Sequence, residues 1–261
     1  MKNGFSINSH VKRIYLYLVL LFLYLPILTL IIYSFNENKT RASWGGFSFK
    51  WYLQLFGDPR IMQALYVTVS VALIAAVAAT ILGTVAAIGI HSMDKLPRSL
   101  FVNVSYLPML TPEIVTGVSM MILFLAMKMQ LGFATMLLAH ITFDLPYVVF
   151  AVLPKLKQMN KHSYEAALDL GARPSAALFK VVIPEIMPGI FTGFLLSFTL
   201  SLDDFVISYF TGGSVQNLSV MIYSMARRGI NPTINALSAL MFTFIIVLLI
   251  IVNKRASLAD R

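Results

Sequence analysis

At 261 residues, 58% of them hydrophobic and 12% charged, with a mean hydropathy of +0.80, the chain is too apolar for a soluble globular domain and reads as an all-α integral membrane protein. Its formal charge of +9 therefore points to basic loop ends held on the cytoplasmic face, not to a nucleic-acid partner. The absence of cysteine excludes disulfides and cysteine-ligated metals, and no metal or other cofactor is expected. The length fits a single transmembrane domain over 1–261 with six spans of about 20 apolar residues each.

Lys12 and Arg13 precede the first span, about 14–35, with no small-residue cleavage site after it, so it is expected to remain uncleaved and to start inside. An outer segment follows to Arg60, with Trp44, Trp51 and Tyr52 where an interfacial aromatic belt would fall. The second span, about 62–91, carries Gly83 among many alanines, which lets helices approach closely. After a short inner loop with Lys95 and Arg98, the third span, about 100–126, is interrupted by Pro108 and Pro112. Thr111, Pro112 and Glu113 read there as N-cap, first position and first-turn acid of a fresh helix. The fourth span, about 133–153, contains Asp144 before Pro146, and a polar loop over about 154–188 follows it inside. The fifth and sixth spans are placed at about 189–210 and 233–252. Of the twenty Lys and Arg, this arrangement leaves thirteen inside and seven outside, which supports both termini being cytoplasmic.

The inner loop is read as two short helices. Ser163 is expected to cap the first, with Glu165 in its first turn, and Gly171 to end it; the second should run from Pro174 until Pro184 removes a backbone donor. Glu165, Ala166, Ala167, Gly171 and then Val181, Ile183 and Pro184 stand at the spacing of the EAA loop of ABC importer permeases, which this stretch resembles. The resemblance implies the type I importer permease fold and docking of the loop onto an ATP-hydrolysing subunit. A DNA-binding helix-turn-helix fails here, because spans flank the loop and its second helix offers few polar groups to base edges.

Four of the eleven carboxylates, Glu113, Asp144, Asp203 and Asp204, fall within expected spans. A charge at the bilayer centre costs about 2.5–3.5 kcal/mol on insertion scales, so these acids point to a wet or liganded interior whose missing partner is a cationic cargo. Ser197, Ser201, Asp204 and Ser208 recur at steps of four, three and four, placing them on one face of a continuous fifth helix with Asp203 about 100° away. Asp204 is therefore the first choice as a cavity-wall acid. A small-residue packing seam is the alternative for the stripe, and a local cap beside Pro146 the alternative for Asp144.

Along most of its length the chain is similar to the second permease subunit of spermidine/putrescine ABC importers. The segments that carry this are SFN at Ser34–Asn36, GFSFKWY at Gly46–Tyr52, Pro112-Glu113, HITFDLPYVV at His140–Val149, SFTLSLDDFV at Ser197–Val206 and IYSMARRGINPTINAL at Ile222–Leu237. The resemblance implies that Trp51, Glu113, Ser201, Asp203 and Asp204 line polyamine passage. Glu113 stands where the family has Asp, and Asp144 where a neutral residue is expected, and either could retune preference between diamine and triamine. It also implies two ATP-binding subunits, a second homologous permease chain and an extracytoplasmic polyamine-binding protein. No Walker phosphate loop is present, so ATP hydrolysis would come from the partners and the chain is not expected to be an enzyme. Three other readings stay open: a permease for ferric iron, thiamine or an organic anion; an intramembrane aspartyl protease using Asp144 with Asp203 or Asp204; and a self-contained channel or carrier.

Overall fold

A computed structural model describes residues 9–39, 43–227 and 232–259. Among them the secondary structure is helical, apart from one isolated bridge between Asn36 and Phe47. The chain divides into two units, residues 1–61 with 222–261, and residues 62–221.

In the first unit, α1 (Ser9–Ser34) packs along α12 (Pro232–Ala259), which also meets α2 (Lys50–Gly57). Pro26 sits inside α1 without ending it, as membrane helices tolerate. The turn after α1 is built on Asn36, whose side chain donates to Ser43 O (3.0 Å) and accepts from Gly45 N (2.8 Å). Trp51 is not part of an aromatic belt. It is 2% exposed, and its Nε1–H donates to Asn36 O at 2.6 Å, so α2 is pinned onto that turn. Trp44 is exposed, as a belt residue would be.

The second unit is built on α3 (Pro59–Ser92), α4 (Lys95–Leu110), α5 (Glu113–Ala126), α6 (Phe133–Gln158), α7 (Lys161–Asp169), α8 (Pro174–Ala177), α9 (Ile183–Asp203) and α10 (Val206–Thr211), with α11 (Leu218–Arg227) beginning in it. Asp58 accepts from Arg60 N and Pro59 occupies the first position of α3, an ordinary start for a helix. Ala79 and Ala87 of α3 pack against Val148, Val152 and Leu156 of α6, and Ile186 of α9 closes the cluster. Gly83 permits this approach, since a Cβ there would lie 2.7 Å from Val148 Cβ. Among the described residues four helices are long and apolar enough to cross a membrane, five if α4 and α5 form one bent span, and Pro232–Val247 is a shorter apolar stretch.

Several expected boundaries move. The inner loop after α3 shrinks to Met93 and Asp94, because α4 already starts at Lys95. α6 runs through Pro146 and Pro154 to Gln158, so the fourth span does not stop at 153. The chain turns by 102° between α4 and α5. Thr111 does not cap α5: its hydroxyl donates backward to Leu107 O at 2.7 Å, closing α4. The cap of α7 is Asn160, not Ser163, with Asn160 Oδ1 accepting from His162 N. Pro184 does not stop a helix either. The backbone widens into a π turn over Leu178–Val182, Ile183 N reaches back to Leu178 O, and Pro184 falls in the first turn of α9, where its missing N–H is not needed. The fifth span therefore begins inside the expected loop, and it ends at Asp203. The link between α9 and α10 breaks the helix at Asp204 and Phe205, so the continuous stripe does not exist as a helical face. Between the expected fifth and sixth spans lies a further helix, α11. Lys2, Arg41, Arg228 and Arg261 of the charge count lie outside the described residues.

Candidate functional site

The break between α9 and α10 is where buried polar chemistry gathers. His140 and Asp144, four residues apart, share the face of α6 that packs on α9. Both are fully buried, as are Ser197, Ser201 and Ser208, and Asp204 is 8% exposed. Ser201 Oγ donates to Asp144 Oδ2 at 2.7 Å. His140 Nδ1 lies 2.9 Å from Ser201 Oγ, and Nε2 lies 2.9 Å from Ser208 Oγ and 3.5 Å from Asp204 Oδ2. Asn217 Nδ2 donates to both Ser208 Oγ and Asp204 O at 2.8 Å.

Counting protons orders this network. With Asp144 as a carboxylate, the single Ser201 proton is committed to it, so Ser201 accepts from His140 Nδ1–H. Nε2 of the neutral ring is then an acceptor, served by the Ser208 hydroxyl, whose oxygen accepts in turn from Asn217. The bonds run one way, from Asn217 through Ser208, His140 and Ser201 to Asp144. Each bond along the chain pairs one donor with one acceptor, as a buried polar network in a low-dielectric interior requires. Among the described residues Asp144 Oδ1 and Ser197 Oγ are buried here without a hydrogen-bond partner.

The four intramembrane acids separate into two kinds. Asp204 Oδ1 accepts from Ile207 N (3.2 Å) and Oδ2 from Ser208 N (2.8 Å), so this carboxylate caps the first turn of α10. Asp144 is bonded to a residue 57 positions away, which replaces the local-cap reading with a tertiary one. Glu113 and Asp203 are exposed on this chain, and among the described residues neither is in an ion pair. Glu113 opens α5 just past the 102° bend, and Asp203 is the last residue of α9. Each stands at a break in an apolar helix, and Asp203 lies within electrostatic reach of Glu113. Asp144 and Asp204 therefore have partners within the chain, in place of the cationic cargo expected for them.

His140 and Asn217 were not singled out from the sequence. The pairing of His140 with Asp144 at helical spacing was a legible signal, whereas Asn217 sits in an irregular stretch and gave none.

The candidates in the loop after α6 lie on the same unit. Gly171 has φ +85°, and Gly171 N bonds to Leu168 O at 2.8 Å while Ala172 N bonds to Ala167 O at 3.0 Å. These two bonds are the Schellman pattern, which needs the left-handed conformation at this position. Glu165 and Ala166 are exposed on α7, and Leu170 is 89% and Phe179 69% exposed on the same hairpin, which leaves an apolar surface uncovered. Pro184 is exposed in the first turn of α9, and Asn160 N bonds to Glu185 Oε1 at 3.3 Å.

A helical membrane chain with broken spans and a protruding helical hairpin is the architecture of an importer permease, and the chain belongs to the family described as "Binding-protein-dependent transport system inner membrane component", whose profile matches residues 79–256. The spermidine/putrescine transport system permease protein PotC of Haemophilus influenzae is 36% identical over 252 residues, covering 96% of each chain. PotC of Escherichia coli K12 is 37% identical, covering 91% of this chain and 88% of the relative, and the putrescine transport system permease protein PotI of the same organism is 40% identical over 82% and 79%. A bacterial ABC transporter involved in the import of the acidic polysaccharide alginate, known from a crystal structure, matches with a TM-score of 0.75 at 15% identity over 97% of this chain and 99% of that one, a likeness of fold.

Proposed function

We propose that the chain is the membrane-spanning permease subunit of an ATP-driven importer that carries polyamines, spermidine or putrescine, into the cytoplasm. The observation that carries this reading is the pair of exposed carboxylates, Glu113 and Asp203, each placed at a break in an apolar helix in a chain whose relatives are named for polyamine transport. A carboxylate about 4 Å from an ammonium gains roughly 4 kcal/mol at an effective dielectric of 20, enough to offset the cost of holding the charge at membrane depth. In this reading Glu113 and Asp203 meet the cargo directly. Asp144, Ser201 and Asp204 form the polar wall behind them, and Trp51 holds the outer segment. The whole chain acts as one transmembrane domain, crossing the membrane six times with both termini in the cytoplasm.

The exposed apolar side chains of Leu170 and Phe179 support docking of the hairpin, with Glu165, Ala166, Ala167, Gly171 and Pro184, onto one of two ATP-binding subunits. A second homologous permease chain and an extracytoplasmic polyamine-binding protein complete the assembly.

The test is uptake of radiolabelled spermidine and putrescine by the complex reconstituted in liposomes. Glu113→Gln and Asp203→Asn each remove a charge from an exposed side chain while keeping its shape. Each is expected to weaken apparent affinity by about tenfold to a hundredfold, the equivalent of roughly 1.4–2.8 kcal/mol, with assembly intact. Polyamine uptake that survived both substitutions together would move the cargo to another class.

A further inference from the structure

We propose that His140 is a positioning residue for transport: by bonding one ring nitrogen to each side of the break between α9 and α10, it holds open the link that presents Asp203. The ring spans Ser201, two residues before the end of α9 at Asp203, and Ser208 within α10, at 2.9 Å on each side. Asp204 and Phe205 link the two helices, and among the described residues the Asp204 cap on Ile207 N and Ser208 N, Asn217 Nδ2 on Asp204 O and Ser219 Oγ on Asp203 O (3.1 Å) also bond at the break. His140 comes from α6, a separate helix packed against α3 and α9, so it fixes the ends of α9 and α10 against an external frame rather than against each other. Asp203 follows the clamped end of α9 and is the exposed acid whose direction that clamp sets. Only an imidazole offers a donor and an acceptor on opposite edges of a small ring, which is what the one-way chain from Asn217 to Asp144 requires at its centre.

The inference rests on the polyamine reading for its cargo, so the experiment has an arm that does not depend on cargo. The reconstituted complex carrying wild-type chain, His140→Ala, His140→Asn or Ser208→Ala is followed by hydrogen exchange over residues 200–211 and by spermidine uptake across a concentration series. His140→Ala is expected to speed exchange of the Ile207 and Ser208 amides at least tenfold and to raise KM three- to tenfold, with Vmax per assembled complex changed less than twofold. His140→Asn places an amide nitrogen near the Nδ1 position and should recover part of both effects through Ser201. Ser208→Ala, which removes one side of the clamp and no ring, should reproduce part of the exchange effect if His140→Ala fails to assemble. A residue that served only to fill the core would lower the amount of complex and leave KM unchanged. Unchanged exchange in His140→Ala and Ser208→Ala overturns the clamp, and faster exchange with an unchanged KM overturns its role in presenting Asp203. A wild-type complex that carried no polyamine would instead remove the cargo reading, while the exchange arm still decided the clamp.

Discussion

Replacing Gly171 offers a clean test of the hairpin, because the cost can be isolated. Its φ of +85° lies in the left-handed region, and a Cβ built there meets nothing within 4 Å. Substitution therefore carries no steric penalty from neighbours, and the whole effect is backbone strain: about 1–2 kcal/mol for an L residue in the left-handed conformation, greater for a β-branched one and less for Asn. Strain of this size is relieved by breaking the two bonds from Gly171 N and Ala172 N to Leu168 O and Ala167 O, which re-aims α8 relative to α7. Since 1.36 kcal/mol is a factor of ten in population, Gly171→Val should lower the docking-competent hairpin by about tenfold, Gly171→Ala by less, and Gly171→Asn least. The assay is uptake together with cargo-stimulated ATPase in the reconstituted complex, normalised to assembled permease. The order Val, Ala, Asn is the signature of backbone conformation, because side-chain size does not follow it. Normal uptake and normal ATPase stimulation in Gly171→Val would refute the reasoning.

Gly83→Val would drive a methyl into Val148, and it should lower the thermal midpoint of the purified complex through overpacking of about 1–3 kcal/mol; an unchanged midpoint would place the α3–α6 contact elsewhere. Cysteines introduced at His10, Trp44 and Gln216, all exposed in a chain with no cysteine of its own, should react with an impermeant maleimide from outside at 44 and 216 and only after permeabilisation at 10; the reverse pattern would invert the topology. Asn217 is unsuited to such labelling, being 2% exposed and bonded to Asp204 O and Ser208. The side-chain hydrogen bond from Arg60 holds the Asp58 carboxyl below the usual carboxylate range. A depressed acid stabilises the start of α3 above its unfolded value of about 4, and loses that contribution as pH falls through the lower folded value. The small stability difference between wild type and Asp58→Asn should accordingly be present at neutral pH and vanish in strong acid, and a difference independent of pH would exclude the ion pair as its source.

Much of this protein was legible along the chain because bilayer solvation acts on composition. Runs of apolar residues long enough to cross a membrane became α1, α3 and α6 close to their expected places, whereas α9 starts and ends earlier than the fifth span was expected to, and the order of elements around the hairpin held. Gly171 was readable for the same local reason: a turn residue between two helical stretches must take the left-handed conformation, and glycine does so at least cost. Where a helix starts or stops depended on competition that no single position reveals. Asn160 rather than Ser163 caps α7, Thr111 bonds backward instead of forward, and Pro184 falls in the first turn of α9, directly after a π turn. The acids show the division most sharply. Charge and spacing alone marked Glu113, Asp144, Asp203 and Asp204 as unusual, since ionisable groups at membrane depth require a partner. Which of them keep that partner inside the protein was decided only when α6 brought His140 and Asp144 against α9 and the helix broke at Asp204. A side chain one residue along, Asp203, was thereby left exposed, while its neighbour was consumed by the backbone of α10.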